Sequence, residues 1–411
     1  MKNTPKLRFK EFSGEWESKK LGSLLEFKNG INASKEQYGH GKKFINVLDI
    51  LSNDYITYEN IIGKVDVDDA TFDKYSVGYG DVVFQRSSET REEVGTANVY
   101  LDKEYKATFG GFIIRGKKVG EYNPIFMNKL LKTSSARKEI TTKSGGSTRY
   151  NVGQETLSDV EVMFPKLEEQ EKIASVFSLV DDKISLQVEK VETLKDYKKG
   201  MMQKIFSREL RFKDDDGRDY PEWKHKKLSN IVTRVTRKNK EIQSTLPLTI
   251  SAQYGLVDQI TFFNKTVASS NLEGYYLLEK GEFAYNKSYS TGYPFGAIKR
   301  LDRYDKGVLS SLYICFSVLE NIDSDFLVQY FETSCWHKEI SMIAVEGARN
   351  HGLLNISVSD FFETYHWIPS YEEQIKIGQF LGSLDMKLRK EQEKLDSLNE
   401  YKKGLLQQMF V

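Results

Sequence analysis

The chain is written twice. The segment Phe164–Ile173, Phe-Pro-Lys-Leu-Glu-Glu-Gln-Glu-Lys-Ile, returns at Ile368–Ile377 as Ile-Pro-Ser-Tyr-Glu-Glu-Gln-Ile-Lys-Ile, displaced by 204 positions. The same displacement carries Tyr197–Gln203 onto Tyr401–Gln407 without a gap. Leu7-Arg8-Phe9-Lys10 reappears as Leu210-Arg211-Phe212-Lys213, and Trp16 with Lys19-Lys20-Leu21 as Trp223 with Lys226-Lys227-Leu228. A duplicated unit of about half the chain predicts a pseudo-two-fold arrangement, two arms addressing two places on one partner.

The repeat carries two long helical segments. From Glu168 the apolar residues fall at Ile173, Phe177, Val180, Ile184, Val191, Leu194, Met201 and Ile205, steps of three and four that mark a heptad seam. The second copy places Ile377, Leu381, Leu384, Leu388, Leu395, Leu398, Leu405 and Met409 at equivalent positions. Both copies interrupt the seam at the same two places, Gln187 and Glu391, then Lys198 and Lys402. Pro165 and Pro369 stand where extended chain turns into helix, and the Glu-Glu pair that follows suits the positive end of the helix dipole. Two such rods, each about 60 Å long at about 1.5 Å per residue, most simply pack on each other. Antiparallel packing is expected, with the matched polar interruptions fixing register.

The intervening segments alternate short β-rich runs with turns. Expected strands include 43–47, 81–84 and 112–115 in the first half and 246–250, 282–285 and 312–316 in the second; expected helices are 124–133 and 324–332. The fold class is therefore α+β: two mixed α/β domains arranged pseudo-symmetrically and separated by two long helices packed as an antiparallel coiled coil. The domain boundaries are 1–164, 165–207 (helical), 208–368 and 369–411 (helical).

Landmarks survive between the divergent domains. Gln85-Arg86-Ser87 closes one strand and Asn286-Lys287-Ser288 its counterpart, with Gly95 matching Gly296. An amide, a cation and a hydroxyl at a strand end can read base edges: Arg and Lys suit guanine, Gln and Asn adenine, and Ser either. A plain solvated loop is the competing reading for any one of these residues. A glycine-bearing loop precedes each rod. The first holds Lys143, Ser147, Arg149 and Tyr150; the second holds Arg349, Asn350 and His351. Glycine permits close approach to a phosphate backbone, and the polar side chains supply donors. Tyr289 and Tyr293 complete the DNA-binding candidates as contacts to sugar or thymine methyl groups, the alternative being packing on their own domain.

Composition limits the function classes. Hydrophobic residues make up 39% of the 411 residues and aromatics 12%, as in a globular protein. No apolar run approaches the roughly 20 residues of a membrane span, and the opening Met1–Lys6 lacks a signal-peptide core. Only two cysteines occur, Cys315 and Cys335, so a reducing cytoplasm is expected. With 60 basic and 59 acidic residues the formal charge is +1. Any cationic surface must be local, or partners must supply much of the phosphate contact.

In order and spacing these motifs resemble the specificity subunit of type I restriction-modification systems. The resemblance rests on Pro165, Glu169, Gln170 and Ile173, on Pro369, Glu373, Gln374 and Ile377, on Lys198–Gln203 and Lys402–Gln407, and on the Leu-Arg-Phe and Trp entries. It implies two target-recognition domains, each reading half of a split double-stranded DNA sequence, on a helical ruler that docks two modification (methyltransferase) subunits and two restriction (translocase-nuclease) subunits. Cofactors would belong to those partners, with none bound by this chain. It also implies a non-catalytic role. A stand-alone methyltransferase is disfavoured because Asn123-Pro124-Ile125 is not the Asn/Asp-Pro-Pro-Tyr/Phe loop that holds a flipped adenine. Neither cysteine follows a proline, no phosphate-binding loop is present, and the five histidines lack ligand spacing. A coiled-coil scaffold with two protein-binding domains remains the second alternative.

Overall fold

The computed structural model describes residues 3–251, 254–264, 271–289, 292–344 and 354–411. The chain forms two compact units whose membership cuts across the sequence order: Met1–Val188 with Glu393–Val411, and Glu189–Gln392. Each unit thus contains one mixed domain together with part of both long helices.

Those helices run Leu167–Phe206 (40 residues) and Tyr371–Gln408 (38 residues). In the first unit Phe177 meets Phe410 with ring centroids 5.9 Å apart, and Asp181 meets Lys402 at 2.9 Å. In the second, Lys190 pairs with Glu391 at 2.6 Å and Lys198 with Asp385 at 2.5 Å. Numbers rise on one helix as they fall on the other, so within each unit the helices are antiparallel. The seam residues are all buried or half-buried, among them Ile173, Phe177, Val191, Ile205, Ile377, Leu381 and Leu405. Each fully buried side chain of this kind contributes about 1.5–3 kcal/mol.

The first unit's main sheet is antiparallel, in the order Leu25–Asn29, Ile113–Lys118, Val82–Gln85, Ala97–Val99. The second repeats that order with Val232–Arg234, Ile314–Val318, Phe283–Asn286 and Ala297–Arg300. Helices Pro124–Leu131 and Ser324–Phe331 are N-capped by Asn123 and Asp323, whose side chains accept from backbone N–H groups of the first turn. One expected element differs. The strand expected at 43–47 is the end of a longer one, Tyr38–Ile45, and Val47 opens a helix, Val47–Ser52. Asn46 and Asp49 form a reciprocal capping box there, which ends the extended run despite its β-branched residues.

The repeated motif acts as a clamp. Glu169, 2% exposed, accepts two hydrogen bonds from Arg8 at 2.8 Å each, and the Trp16 indole N–H donates to it at 3.4 Å. Its equivalent Glu373, fully buried, accepts from Arg211 at 2.9 Å twice and from Trp223 at 3.2 Å. Gln170 donates to the Pro165 carbonyl and accepts from the Asn123 N–H; Gln374 does the same with Pro369 and Asp323. The Glu-Gln pair therefore ties the start of each long helix to the segment that enters its domain and to the cap of the domain's helix. A buried carboxylate is tolerated because both oxygens are satisfied by a bidentate guanidinium.

Candidate nucleic-acid interface

Two loops far apart in sequence lie side by side in the first unit. Ser87–Ser88 pairs antiparallel with Tyr150–Asn151, and the Val152 N–H donates to the Arg86 carbonyl at 3.0 Å. The glycine loop closes on itself through reciprocal Gly145–Asn151 bonds of 3.0 and 2.8 Å. Gly146 is required there: φ is +119°, and a Cβ would lie 2.1 Å from the Arg149 carbonyl oxygen. Gly95 holds the other flank, its N–H donating to the Gln85 carbonyl at 2.9 Å with φ at +66°. In the second unit Leu354 N–H donates to the Lys287 carbonyl at 3.0 Å, the same tie between strand end and pre-helix segment.

Where the candidate side chains stand divides them. Arg149 and Ser147 are exposed, and the Arg149 guanidinium has no hydrogen-bond partner among the described residues. Arg86 is exposed, and among the described residues its side chain donates only a long 3.4 Å bond, to the Gly111 carbonyl. Ser87 and Arg149 line one concavity of about 290 Å³ with Gln85, Glu89, Glu93 and Phe112. Gln85 itself is 5% exposed; its amide N–H donates to the Ser87 carbonyl at 3.0 Å, while its buried Oε1 has no hydrogen-bond partner among the described residues. Lys143 bonds the Asp159 carbonyl at 2.7 Å and Glu139 at 2.9 Å. Tyr150 packs against the first unit's core.

The second unit follows the same split. Asn286 accepts from the Ser288 N–H at 3.0 Å, which is an Asx turn, and Ser288 is half-buried. Lys287 donates to the Ile356 carbonyl at 3.1 Å, and burial lowers its pKa. Tyr289 is exposed, at 61%. Tyr293 packs on the second unit's core. Arg349, Asn350 and His351 lie outside the described residues.

Sequence reasoning missed Phe112, 66% exposed at the rim of the first concavity, and the carboxylates Glu89 and Glu93 beside it. The signal for Phe112 was a large apolar residue directly after Gly110-Gly111, where a strand-forming residue was expected instead. The face therefore mixes cations, acceptors and an apolar rim.

Among the described residues no cluster of His, Cys, Asp and Glu could hold a metal ion. The Cys315 thiol is buried and pushed up to about 12, the opposite of an activated nucleophile. Among the described residues no helix is long and apolar enough to cross a membrane.

Duplicated domains, each clamped to antiparallel helices and each tying a strand end to the segment before its long helix, define the class. Residues 13–196 match the type I restriction modification DNA specificity domain, and the chain resembles type I restriction-modification specificity subunits. Three such subunits from Methanocaldococcus jannaschii are similar to it. The protein assigned as the MjaX subunit is 25% identical over 240 residues, 56% of this chain and 55% of that one. The MjaIX subunit is 26% identical over 235 residues, 53% and 52% of the two chains, and MjaVIII 25% identical over 324 residues, 70% and 71%. The chain thus spans about half the length of the first two relatives. Among solved structures, the S subunit of the type I system from M. genitalium shares the fold over 99% of both chains, with a TM-score of 0.58 at 17% identity. A structure described for complex assembly and conformational transition of the type I R-M system matches over 95% of this chain and 96% of its own, with a TM-score of 0.52 at 13% identity.

Proposed function

We propose that the chain is the non-catalytic DNA-reading subunit of a type I restriction-modification complex. Each domain reads one half of a split double-stranded target, the paired helices hold the two readers at a set spacing, and the helices dock two modification and two restriction subunits. The observation that carries this reading is the duplicated loop pair, a strand end hydrogen-bonded to the segment before each long helix. In the first unit, Arg149 and Arg86 are the cations placed to contact bases or adjacent phosphates, with Ser87 and Ser147 as hydroxyl donors. In the second unit, Tyr289 has the exposed position, with Asn286, Lys287 and Ser288 forming the turn beneath it.

The test is to combine the chain with modification subunits encoded with it and map methylation on genomic DNA. One discontinuous motif is expected; a continuous motif, or none, refutes the reading. Arg149→Ala separates roles. Loss of a base contact costs about 1–3 kcal/mol and relaxes one base of one half-site. Loss of a phosphate contact weakens all sequences alike and reduces the salt slope by about one. Methyl transfer by the chain alone would instead support an enzyme.

A further inference from the structure

In each unit one aspartate on a long helix joins three elements. Asp181, on the first long helix, accepts from Lys129 at 2.7 Å and Tyr55 at 2.6 Å in the domain, and forms an ion pair with Lys402 of the second long helix at 2.9 Å. Asp385, 204 positions on, stands on the second long helix. It accepts from Lys198 of the first at 2.5 Å and from Gln329 of the domain at 2.7 Å. Lys129 and Gln329 occupy matching places on the helices Pro124–Leu131 and Ser324–Phe331 and are 2% and 4% exposed. The apolar contacts around them are non-directional. A charged hydrogen-bonded junction at low exposure has one favourable geometry.

We infer that Asp181 and Asp385 are positioning residues that fix the tilt of each domain on the paired helices, and with it the spacing between the two half-sites. The inference rests on the split-target reading above. It uses a difference between the two junctions. The domain's donor is a lysine in the first, but in the second it is Gln329, whose buried Oε1 has no hydrogen-bond partner among the described residues. An amide can turn over and accept where it formerly donated; a lysine cannot. The second junction therefore tolerates reversal of its charges. A cavity of about 870 Å³, lined in part by Lys198, Gln329 and Asp385, leaves room for the longer side chain.

The experiment uses the full chain with its modification subunits on targets whose spacer is lengthened or shortened by one base pair, read by methylation. Lys198→Asp with Asp385→Lys should keep the native spacing, and so should Gln329→Lys alone, which copies the first junction. All three together place two lysines against each other, and the preference for the native spacer should fall about tenfold, the scale of one charged hydrogen bond. Half-site sequences should not change. Because that variant risks not folding, Lys198→Met with Asp385→Leu and Gln329→Leu removes the junction with apolar groups of similar size; it should fold and lose the single preferred spacing. Unchanged spacing in both triple variants overturns the inference, as does loss of spacing in the charge-reversed pair. Failure of the unaltered protein to methylate any split target refutes the underlying reading instead.

Discussion

Replacing Phe410 with alanine tests whether the segment just beyond the second long helix belongs to the first unit's core. Phe410 is 6% exposed and stacks on Phe126 at 5.2 Å and 27°. Its ring also meets Trp16 edge-on at 6.1 Å and Phe177 at 5.9 Å. Truncating a buried Phe typically costs about 3–5 kcal/mol, from lost transfer energy and from the cavity left behind. Aromatic pairs add about 0.5–1.5 kcal/mol beyond buried area, but three pairs sharing one ring are not additive, so the upper part of the first range is expected. For a unit of this size each kcal/mol shifts Tm by roughly 2–4 °C, predicting a drop of roughly 8–20 °C. The assay is calorimetry with site-resolved hydrogen exchange, because two units need not unfold together. Protection should fall in Val82–Gln85 and Ala97–Val99, and hold in Phe283–Asn286. A shift below about 2 °C, or a loss confined to the second unit, would refute the antiparallel pairing. Phe206→Ala should act in mirror fashion, since Phe206 packs on Trp223, Phe326 and Tyr330.

Glu373→Gln should destabilise the second unit by about 1–3 kcal/mol in urea unfolding, because the guanidinium of Arg211 loses its charged partner at the buried end of the pair while keeping Glu222 and the Tyr220 and Pro221 carbonyls; no measurable change would show that the clamp is incidental. His366 is held neutral between the Tyr330 and Thr364 hydroxyls, each 2.8 Å away, and burial pushes its pKa down to about 3. An unfolded histidine takes its proton near pH 6.5, so between those values the unfolded state binds more protons and stability falls as the pH is lowered, by up to about 1.4 kcal/mol per pH unit. His366→Gln should flatten that slope in unfolding curves taken from pH 6.5 to 4, and an unaltered slope would assign it to other groups.

Much of the scaffold could be read directly. The heptad seam, the prolines ahead of both helices and the two helices near 124 and 324 depend on spacing and on local backbone chemistry, and they stand where expected. The loops were less legible. Gln85 and Asn286 have the same chemistry as exposed base readers, yet each amide spends one of its polar groups on its own turn. Nothing local distinguishes the two states, because the choice depends on which groups the fold brings to the strand end.

The sequence by itself determined the repeat, the register of apolar positions and the residues of the clamp, since periodicity and motif spacing are properties of neighbours along the chain. The tertiary structure alone decided that Glu169 answers Arg8, that Lys198 and Lys402 in the seams meet Asp385 and Asp181, and that Ser87–Ser88 lies against Tyr150–Asn151. These pairings join positions 60 or more residues apart. A buried charge or an open strand edge demands a partner, but only the packed chain determines which one comes within reach.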